Sequence, residues 1–483
     1  MSEAVGLRFP KDRRASIAVD LGAESCRVSL LRWTGEGPDV QLVHRCGNGP
    51  VQREDGLHWP LDRIVDGVEE GLRRSAELAP EGIRSIAVDG WAVDYVRLKE
   101  DGAPMAEPFC YRDERNVRAA EELHKKISPE RMREITGIQQ LSINTLYQLY
   151  ADRQAGYTPV RWVNLPEYML TRWGAEPVAE FTNATHTQLI DLQTRQWSDE
   201  IFREAGLNIK MAPRIVPPGT KLGKIGGPFE RLAAFQDTEL IAPACHDTAS
   251  AIAGIPALGE DWAYISSGTW SLVGALTSQP IKNPEVWADN FTNLGAAGGA
   301  NCFHKNVNGM WLLKQCESYW AAQGFEPGIA ELLRASEGVA TPPMLLDVDD
   351  PDLLLMGEMP QRINRQLVAK GAKPFDESPA GAAEFVSLIL HSLASRYAEV
   401  LSRVRKHTGK DLRRLFIVGG GSRNTLLNRL TAEATGLEVC CGSVESSTLG
   451  NFAIQIAALE ATCPPESKDF AAEIYDWVIR LSS

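Results

Sequence analysis

The chain has 483 residues, of which 44% are hydrophobic and 23% charged, with a formal net charge of −13 at pH 7. This is the composition of a globular protein long enough for two or more domains. Nucleic acids and anionic membranes normally bind a basic surface. The basic runs here are short pairs such as Lys125-Lys126 and Arg413-Arg414, so neither partner class is expected.

The N-terminal segment and the cysteines indicate the compartment. Residues 1–14 are polar and charged and lack the apolar stretch of a secretory signal, and no apolar run is long enough to cross a bilayer. The nine cysteines include no Cys-x-x-Cys pair. Their odd number and spacing disfavour a zinc site or a disulfide scaffold. We therefore expect a cytoplasmic protein with reduced thiols.

The first half of the chain alternates apolar strands with amphipathic helices. In chain order the pattern predicts strands beginning at Ser16 and covering 28–33 and 40–44, a helix at 61–78, a strand at 85–89, helices at 117–127, 129–135 and 143–153, and short strands at 161–163 and 240–244.

The second half repeats the strand–turn–strand start of the first. It predicts strands at 262–266 and 269–276, helices at 310–322 and 382–406, a strand at 414–418, a helix at 424–435, a strand at 438–441, and helices beginning at Leu449 and Phe470. The segment 340–360, rich in Pro and Asp, is expected to be a surface connection. The pattern favours two similar α/β domains, 1–255 and 256–483, with a ligand cleft between them.

The first hairpin has an acid at its entry and a cation at its exit. Gly22 allows close approach of the backbone to a ligand, and the N–H groups of the bend together with Arg27 suit a phosphate. Asp20 could hold a divalent cation directly or through water. One interpretation is a binding site for a nucleoside triphosphate and its magnesium ion. The other is an ordinary hairpin with charged residues at its rim.

Asp247 follows a short apolar strand and opens a helix of small residues. One interpretation is a carboxylate base that takes a proton from a hydroxyl group. The other is a helix cap, since Asp is common at that position. His246 is expected to be a polar contact rather than a catalyst.

Two glycine-containing turns in the second half are candidate ligand contacts. The turn 266–271 could wrap a second phosphate around Gly268, or could be a plain serine-rich hairpin. The run Gly419-Gly420-Gly421 joins a strand to a helix, where a backbone can touch a flat or anionic ligand. Neither the Gly-x-Gly-x-x-Gly spacing nor a P-loop sequence occurs, which excludes those two nucleotide-binding motifs.

A strand that ends at Asp89 leads into Trp91 and Asp94. Aromatic faces and carboxylates commonly hold sugars, but a core tryptophan beside a solvated aspartate gives the same pattern.

Taken in order, these motifs resemble the FGGY carbohydrate kinases, and within that family the rhamnulokinases most. The segments that carry the resemblance, from Ser16 to Leu459, are Asp20-x-Gly22, Trp91-x-x-Asp94, Tyr111-Arg112-Asp113-x-Arg115, Asn144-Thr145-Leu146-Tyr147-Gln148-Leu149, Thr182-Asn183-Ala184-Thr185-His186-Thr187-Gln188-Leu189, His246-Asp247-Thr248, Ser267-Gly268-Thr269-Trp270-Ser271, Gly419-Gly420-Gly421 and Ser447-Thr448-Leu449-Gly450-Asn451. The resemblance implies an α/β fold of two actin-like (ribonuclease H-like) domains flanking an interdomain cleft.

The resemblance also implies residue roles. Asp247 would be the general base that deprotonates the 1-hydroxyl of the sugar, and Asp20 would lie near Mg²⁺. The residues that would bind the cofactor ATP are Ala23, Glu24, Ser25, Cys26, Arg27, Thr269, Lys314 and Gly420. The residues that would bind the sugar are Ala92, His246, Asp247, Thr248 and Asn306.

The implied activity is ATP-dependent phosphorylation of a ketose, and L-rhamnulose is the preferred candidate substrate. Another ketose such as L-fuculose or xylulose, and a non-catalytic sugar sensor on the same fold, are the alternatives. Three residues depart from the rhamnulokinase pattern: Ala92 and Cys26 stand where glycine is expected, and Lys314 stands where glutamine is expected. The added methyl group of Ala92 could change which sugar the site accepts. The sequence does not specify the oligomeric state.

Overall fold

The computed structural model describes residues 9–157 and 159–482. The chain divides into two compact units. The first comprises Met1–Leu258, Leu276–Phe303 and Ser446–Ser483, and the second comprises Gly259–Ala275 and His304–Glu445. The end of the chain therefore packs with the first unit. The linear domain bounds 1–255 and 256–483 stay a prediction.

The elements alternate strands and helices along the described chain. The strands are β1 Ala15–Leu21, β2 Ser25–Trp33, β3 Pro38–Gly47, β4 Val51–Arg53, β5 Gly56–His58, β6 Ile83–Gly90, β7 Tyr95–Leu98, β8 Arg161–Asn164, β9 Val178–Glu180, β10 Ile190–Asp191, β11 Gln196–Trp197, β12 Arg214–Val216, β13 Thr220–Lys224, β14 Glu239–Ala242, β15 Trp262–Ser267, β16 Trp270–Thr277, β17 Thr292–Gly295, β18 Asn301–Asn308, β19 Arg414–Val418 and β20 Glu438–Cys441.

The helices are α1 Leu61–Leu78, α2 Arg115–His124, α3 Pro129–Thr136, α4 Thr145–Gln154, α5 Leu165–Arg172, α6 Phe181–His186, α7 Asp199–Ala205, α8 Asp247–Ala253, α9 Pro284–Ala288, α10 Trp311–Ala321, α11 Ile329–Glu337, α12 Met359–Ala369, α13 Ala382–Thr408, α14 Thr425–Thr435, α15 Ser446–Glu460 and α16 Lys468–Ser482. None of those described is long and apolar enough to span a bilayer.

The main sheet of the first unit has the order β13–β14–β6–β1–β2–β3. Strands β1, β6 and β14 are parallel, whereas β2 and β3 are antiparallel to their neighbours. Parallel neighbours end at the same edge of a sheet. This topology therefore brings the carboxyl ends of β1, β6 and β14 side by side, although they are far apart in the sequence.

Helix α1 covers one face of this sheet. Its apolar positions Ile64, Val65, Val68 and Leu72 recur at helical spacing and are all buried. Burying each such side chain contributes roughly 1.5–3 kcal/mol. A Cβ on Gly71 would lie 2.5 Å from the Val28 side chain, so glycine lets the helix approach β2 closely. The prediction of a helix at 61–78 is confirmed.

Helix α15 crosses α8 on the other side of the first unit. The two backbones approach so closely that a Cβ on Gly450 would overlap the carbonyl oxygen of Ser250, and one on Gly254 would overlap that of Ser446. The small-residue helix that begins at Asp247 is therefore fixed in place by a close helix crossing.

In the second unit, β15 pairs with β16 in an antiparallel hairpin and with β19 in parallel, and β20 continues in parallel beside β19. The predicted strand 414–418 and helix 382–406 are present as β19 and α13. The sequence prediction missed the short hairpin of β4 and β5, whose strands are too short for a periodic pattern.

Candidate active site

Three aspartates lie at adjacent strand ends in the first unit. Asp20 in β1 pairs in register with Asp89 in β6. After β14, residues Cys245 and His246 run beside the end of β6. Gly90 N in β6 donates to Cys245 O (3.0 Å), and Gly90 forms a β-bridge with His246, the residue before Asp247. Neighbouring strands are about 4.8 Å apart, so the topology gathers Asp20, Asp89 and Asp247 into one acidic cluster.

Asp20 is almost fully buried and ion-paired. Its Oδ2 accepts from Arg27 Nη2 (2.7 Å) and from Ser447 Oγ on α15 (2.7 Å). Arg27 lies directly opposite Asp20 in the β1–β2 hairpin, so the predicted acid and cation of the hairpin contact each other. Asp20 Oδ1 is buried and has no hydrogen-bond partner among the described residues.

Asp89 is fully buried at the centre of the cluster. Asn451 Nδ2 on α15 donates to its Oδ2 at 2.6 Å. Burial and the charges of Asp20 and Asp247 raise the pKa of Asp89 well above its ordinary value. The sequence prediction did not give Asp89 a catalytic-site role, although its position at the end of a buried strand, like that of Asp20, could have done so.

Asp247 begins α8, and its Oδ1 accepts from the backbone N and the Oγ1 of Thr248. His246 Nε2 lies 3.5 Å from the same oxygen. Burial and the charge of Asp20 raise the pKa of Asp247 to about 7. Because 36% of the side chain is exposed, water screens part of this effect. The carboxyl group can therefore exchange a proton near neutral pH and is accessible to a ligand.

The predicted phosphate-binding residues of the first hairpin lie in the β1–β2 turn, at Ala23 and Glu24, and at the start of β2, at Ser25, Cys26 and Arg27. Ala23 and Ser25 are half-buried and Glu24 is exposed. Asn48 fixes this turn from the end of β3, because its N donates to Glu24 O (2.8 Å) and its Nδ2 to Gly22 O (3.0 Å).

The Cys26 side chain lies in the core of the first unit with 1% of its surface exposed. It therefore points away from a ligand at the turn, and its backbone is the part available there. Arg45 in β3 lies opposite Arg27 and donates to Ser25 Oγ at 3.0 Å. Sequence reasoning missed this second cation, because no local motif relates β3 to the turn.

Ala92, 7% exposed, lies in the turn after β6. The next residue, Val93, has a φ of 72°, a left-handed conformation that β-branched residues rarely adopt. Thr145 Oγ1 (2.7 Å) and Gln148 Nε2 (3.2 Å) both donate to Val93 O. These contacts hold the turn, and with it Ala92, in one conformation.

Asp94 anchors the same turn. Its Oδ2 accepts from the indole groups of Trp59 (2.5 Å) and Trp91 (2.9 Å), and its Oδ1 accepts from Gln148 Nε2 (3.0 Å). Its carboxylate is fully buried. This arrangement supports the structural interpretation of the Trp91-x-x-Asp94 motif.

In the second unit, three of the predicted nucleotide contacts lie around the β15–β16 turn. Thr269 O in this turn accepts from Trp311 N at 3.3 Å. Trp311 begins α10, and the same helix carries the exposed Lys314. A Cβ on Gly419 would lie 2.9 Å from Ser267 O, whereas one on Gly420 would meet nothing within 4 Å. Gly420 therefore leaves open space beside this turn.

Asn306, the remaining predicted sugar contact, lies in β18 and belongs to the second unit. Ala92, His246, Asp247 and Thr248 belong to the first.

Models of the two domains of one family match most of the chain. The N-terminal domain of the FGGY family of carbohydrate kinases matches residues 15–254, and the C-terminal domain matches residues 263–459. The chain belongs to the FGGY family of carbohydrate kinases. It is a sugar kinase that uses ATP, as the motif order predicted.

Curated relatives support this membership. A rhamnulokinase from Enterococcus faecalis is 34% identical over 458 residues, covering 92% of this chain and 90% of the relative. A rhamnulokinase from Bacteroides thetaiotaomicron is 34% identical over 453 residues, covering 92% and 91%.

The fold of this FGGY kinase matches solved structures. A ligand-bound xylulose kinase from Lactobacillus acidophilus has a TM-score of 0.75 at 15% identity, covering 97% of both chains. The predicted two-domain, actin-like α/β fold is confirmed.

Proposed function

We propose that this FGGY kinase transfers the γ-phosphoryl group of ATP to the 1-hydroxyl of L-rhamnulose, with Asp247 as the general base. The observation that carries the proposal is the position of Asp247 at a helix start beside Asp20 and Asp89, where burial and the charge of Asp20 raise its pKa to about 7. A base with a pKa near the working pH is suited to general base catalysis. The choice of sugar is supported by the two rhamnulokinase relatives.

In the proposed reaction Asp247 accepts the proton of the 1-hydroxyl, and the sugar oxygen attacks the γ-phosphorus. The bond from this phosphorus to the oxygen shared with the β-phosphate breaks, and ADP leaves. Both Thr248 donors bind Oδ1, so we assign the proton-accepting role to Oδ2. His246 and Ala92 are the proposed contacts for orienting the sugar, and Asn306 stays a separate proposed sugar contact.

The backbone N–H groups of Ala23, Glu24 and Ser25 are the proposed contacts for the ATP phosphates, with Arg27 as the nearby cation. Thr269, Gly420 and Lys314 are the proposed contacts from the second unit. Positioning and charge neutralisation supply most of the rate in phosphoryl transfer, so these contacts need not be chemically reactive.

Mg²⁺ fits the acidic cluster. No group of three or more His, Cys, Asp or Glu side chains in the described residues forms a metal site of its own. Mg²⁺ needs only one or two carboxylates, because waters and substrate phosphates complete its shell. The buried oxygens Asp20 Oδ1 and Asp89 Oδ1, without partners among the described residues, are the proposed anchors. When bound, the ion would neutralise phosphate charge.

The test is Asp247→Asn, with Asp66→Asn on the exposed face of α1 as the matched control. Removing a general base costs about 10²–10⁴-fold in rate. We therefore expect kcat, measured as the rate of ADP formation, to fall by about 10²-fold or more. ATP affinity, measured by calorimetry, should stay within about threefold. Turnover near that of the unmodified enzyme would rule out Asp247 as the base.

A ketose panel tests the sugar. L-rhamnulose should give the highest kcat/KM among L-rhamnulose, L-fuculose and D-xylulose. A preference of tenfold or more for another ketose would replace the sugar assignment but leave the kinase activity in place.

A further inference from the structure

A carboxylate outside the acidic cluster contacts the segment that leads into Asp247. Glu180 ends β9 immediately before α6 and is fully buried. Its Oε2 accepts from Cys245 N at 2.8 Å and from Thr182 Oγ1 at 2.5 Å, and its Oε1 accepts from Thr182 N at 2.9 Å. All three contacts are donated to the carboxylate, so both oxygens are used.

Thr182 extends this contact by one residue. While its hydroxyl donates to Glu180, the same oxygen accepts from His246 N at 3.2 Å. The Glu180 carboxylate therefore binds the backbone amide of Cys245 directly and that of His246 through the Thr182 hydroxyl. These are the two residues directly before Asp247. On the opposite side, Gly90 N donates to Cys245 O, so the segment is held from both sides.

This arrangement is energetically costly. Burial, with the nearby charge of Glu167, raises the pKa of Glu180, and burial raises that of Glu167. A buried carboxylate destabilises a fold unless its hydrogen bonds compensate. An apolar residue would leave the buried donors of Thr182 and Cys245 without an acceptor, so Glu180 is accounted for by these donors rather than by packing.

We propose that Glu180, acting through Thr182, is a positioning residue for phosphoryl transfer: it fixes the Cys245–His246 backbone and thereby the direction of the Asp247 carboxylate. The inference rests on the proposed role of Asp247 as the base. A displacement of about 1 Å in a reacting group can cost about 10²-fold in rate. Loss of the support should therefore lower kcat more than it changes substrate binding.

Thr182 gives a matched pair of variants. Thr182→Val removes the hydroxyl at similar volume, whereas Thr182→Ser keeps it. We expect Thr182→Val to lower kcat by about 10- to 100-fold, with KM for ATP within about twofold, and Thr182→Ser to stay within about threefold of the unmodified enzyme. A purely structural role would lower the melting temperature of Thr182→Val but leave the kcat of the folded enzyme unchanged.

Glu180→Gln and Glu167→Gln form a second pair. Whichever way the new amide of Glu180→Gln is turned, its NH₂ group faces a backbone donor, at Thr182 or at Cys245. Glu167 accepts from Glu180 N and Asn183 Nδ2, and Asn183 Oδ1 has no partner among the described residues. A flip of the Asn183 amide can therefore accommodate Glu167→Gln.

We expect Glu180→Gln to lower kcat by about 10- to 100-fold and Glu167→Gln by less than about threefold. Equal kcat in Thr182→Val and Thr182→Ser would overturn the positioning role, even if Glu180→Gln fails to fold. If Asp247→Asn is inactive and these variants are fully active, only the positioning role is wrong. If Asp247→Asn retains turnover, the base assignment fails first.

Discussion

Asp247→Asn should stabilise the protein at pH 8 while it removes activity. The pKa of Asp247 is raised from 3.8 to about 7 by burial and by Asp20. At 1.36 kcal/mol per pKa unit, the charged form costs the fold at most about 4 kcal/mol. Because the side chain is 36% exposed, we halve this for solvent screening and expect a gain of about 2 kcal/mol.

The sign follows from proton binding. A carboxyl group with a raised pKa binds more protons in the folded state than in the unfolded state between pH 3.8 and about 7. Stability from this group therefore falls as the pH rises through that window. The gain from Asp247→Asn should be largest at pH 8, smaller at pH 5, and smallest at pH 4.

Urea unfolding at pH 4, 5 and 8 measures this difference, if each variant unfolds in one cooperative step. Asp66→Asn, an exposed substitution, should stay within about 0.5 kcal/mol at every pH. The amide oxygen of the Asp247→Asn variant can still accept from Thr248, so the helix start is retained. A variant no more stable than the unmodified protein at pH 8 would refute the argument that the ionised Asp247 destabilises the fold.

Three further predictions concern other parts of the first unit. Arg27→Ala should raise KM for ATP by about tenfold and leave the sugar KM within about twofold; an unchanged ATP dependence in steady-state kinetics would count against the phosphate role. Gly450→Ala should lower stability by about 1–3 kcal/mol or more, because its methyl group must displace the Ser250 backbone; thermal unfolding measures this, and an unchanged melting temperature would contradict the close crossing. Asp94→Leu should cost about 3–5 kcal/mol, because it leaves buried indole and amide donors unpaired; a loss below 1 kcal/mol in urea unfolding would contradict the anchoring role.

Much of the fold could be predicted from local pattern. The hydrophobic spacing of 61–78 specifies α1 because one face of the helix must be buried. The hairpin 15–33 is similarly local, since its turn glycine and apolar strands are adjacent in sequence. Helix and strand ends were less accurate: α4 begins at Thr145 rather than at the predicted residue 143, because end positions depend on tertiary contacts.

The site was harder to predict, because it depends on strand order. Asp20, Asp89 and Asp247 become neighbours only when β1, β6 and β14 are placed side by side, and no local pattern specifies that order. The prediction therefore identified Asp20 and Asp247 from local pattern and resemblance, and it noted Asp89 only as the strand-end acid of a possible sugar motif. Glu180 was missed for the same reason, since its contact with Cys245 spans 65 positions along the chain.

The acidic cluster connects the stability argument with the catalytic one. Burial and the charge of Asp20 raise the pKa of Asp247 to about 7, and burial with the charges of Asp20 and Asp247 raises that of Asp89. An isolated aspartate, with a pKa near 3.9, would be a weaker base for a sugar hydroxyl. The same burial and charge repulsion lower the stability of the fold at the pH where the base is ionised. A magnesium ion at Asp20 and Asp89 would lower the pKa of Asp247 further than the charge of Arg27 already does, and would relieve the repulsion. Increased thermal stability on adding Mg²⁺ at pH 8, reduced in Asp20→Asn, would show that the two effects share one cause; a Mg²⁺ effect of equal size in both proteins would separate them.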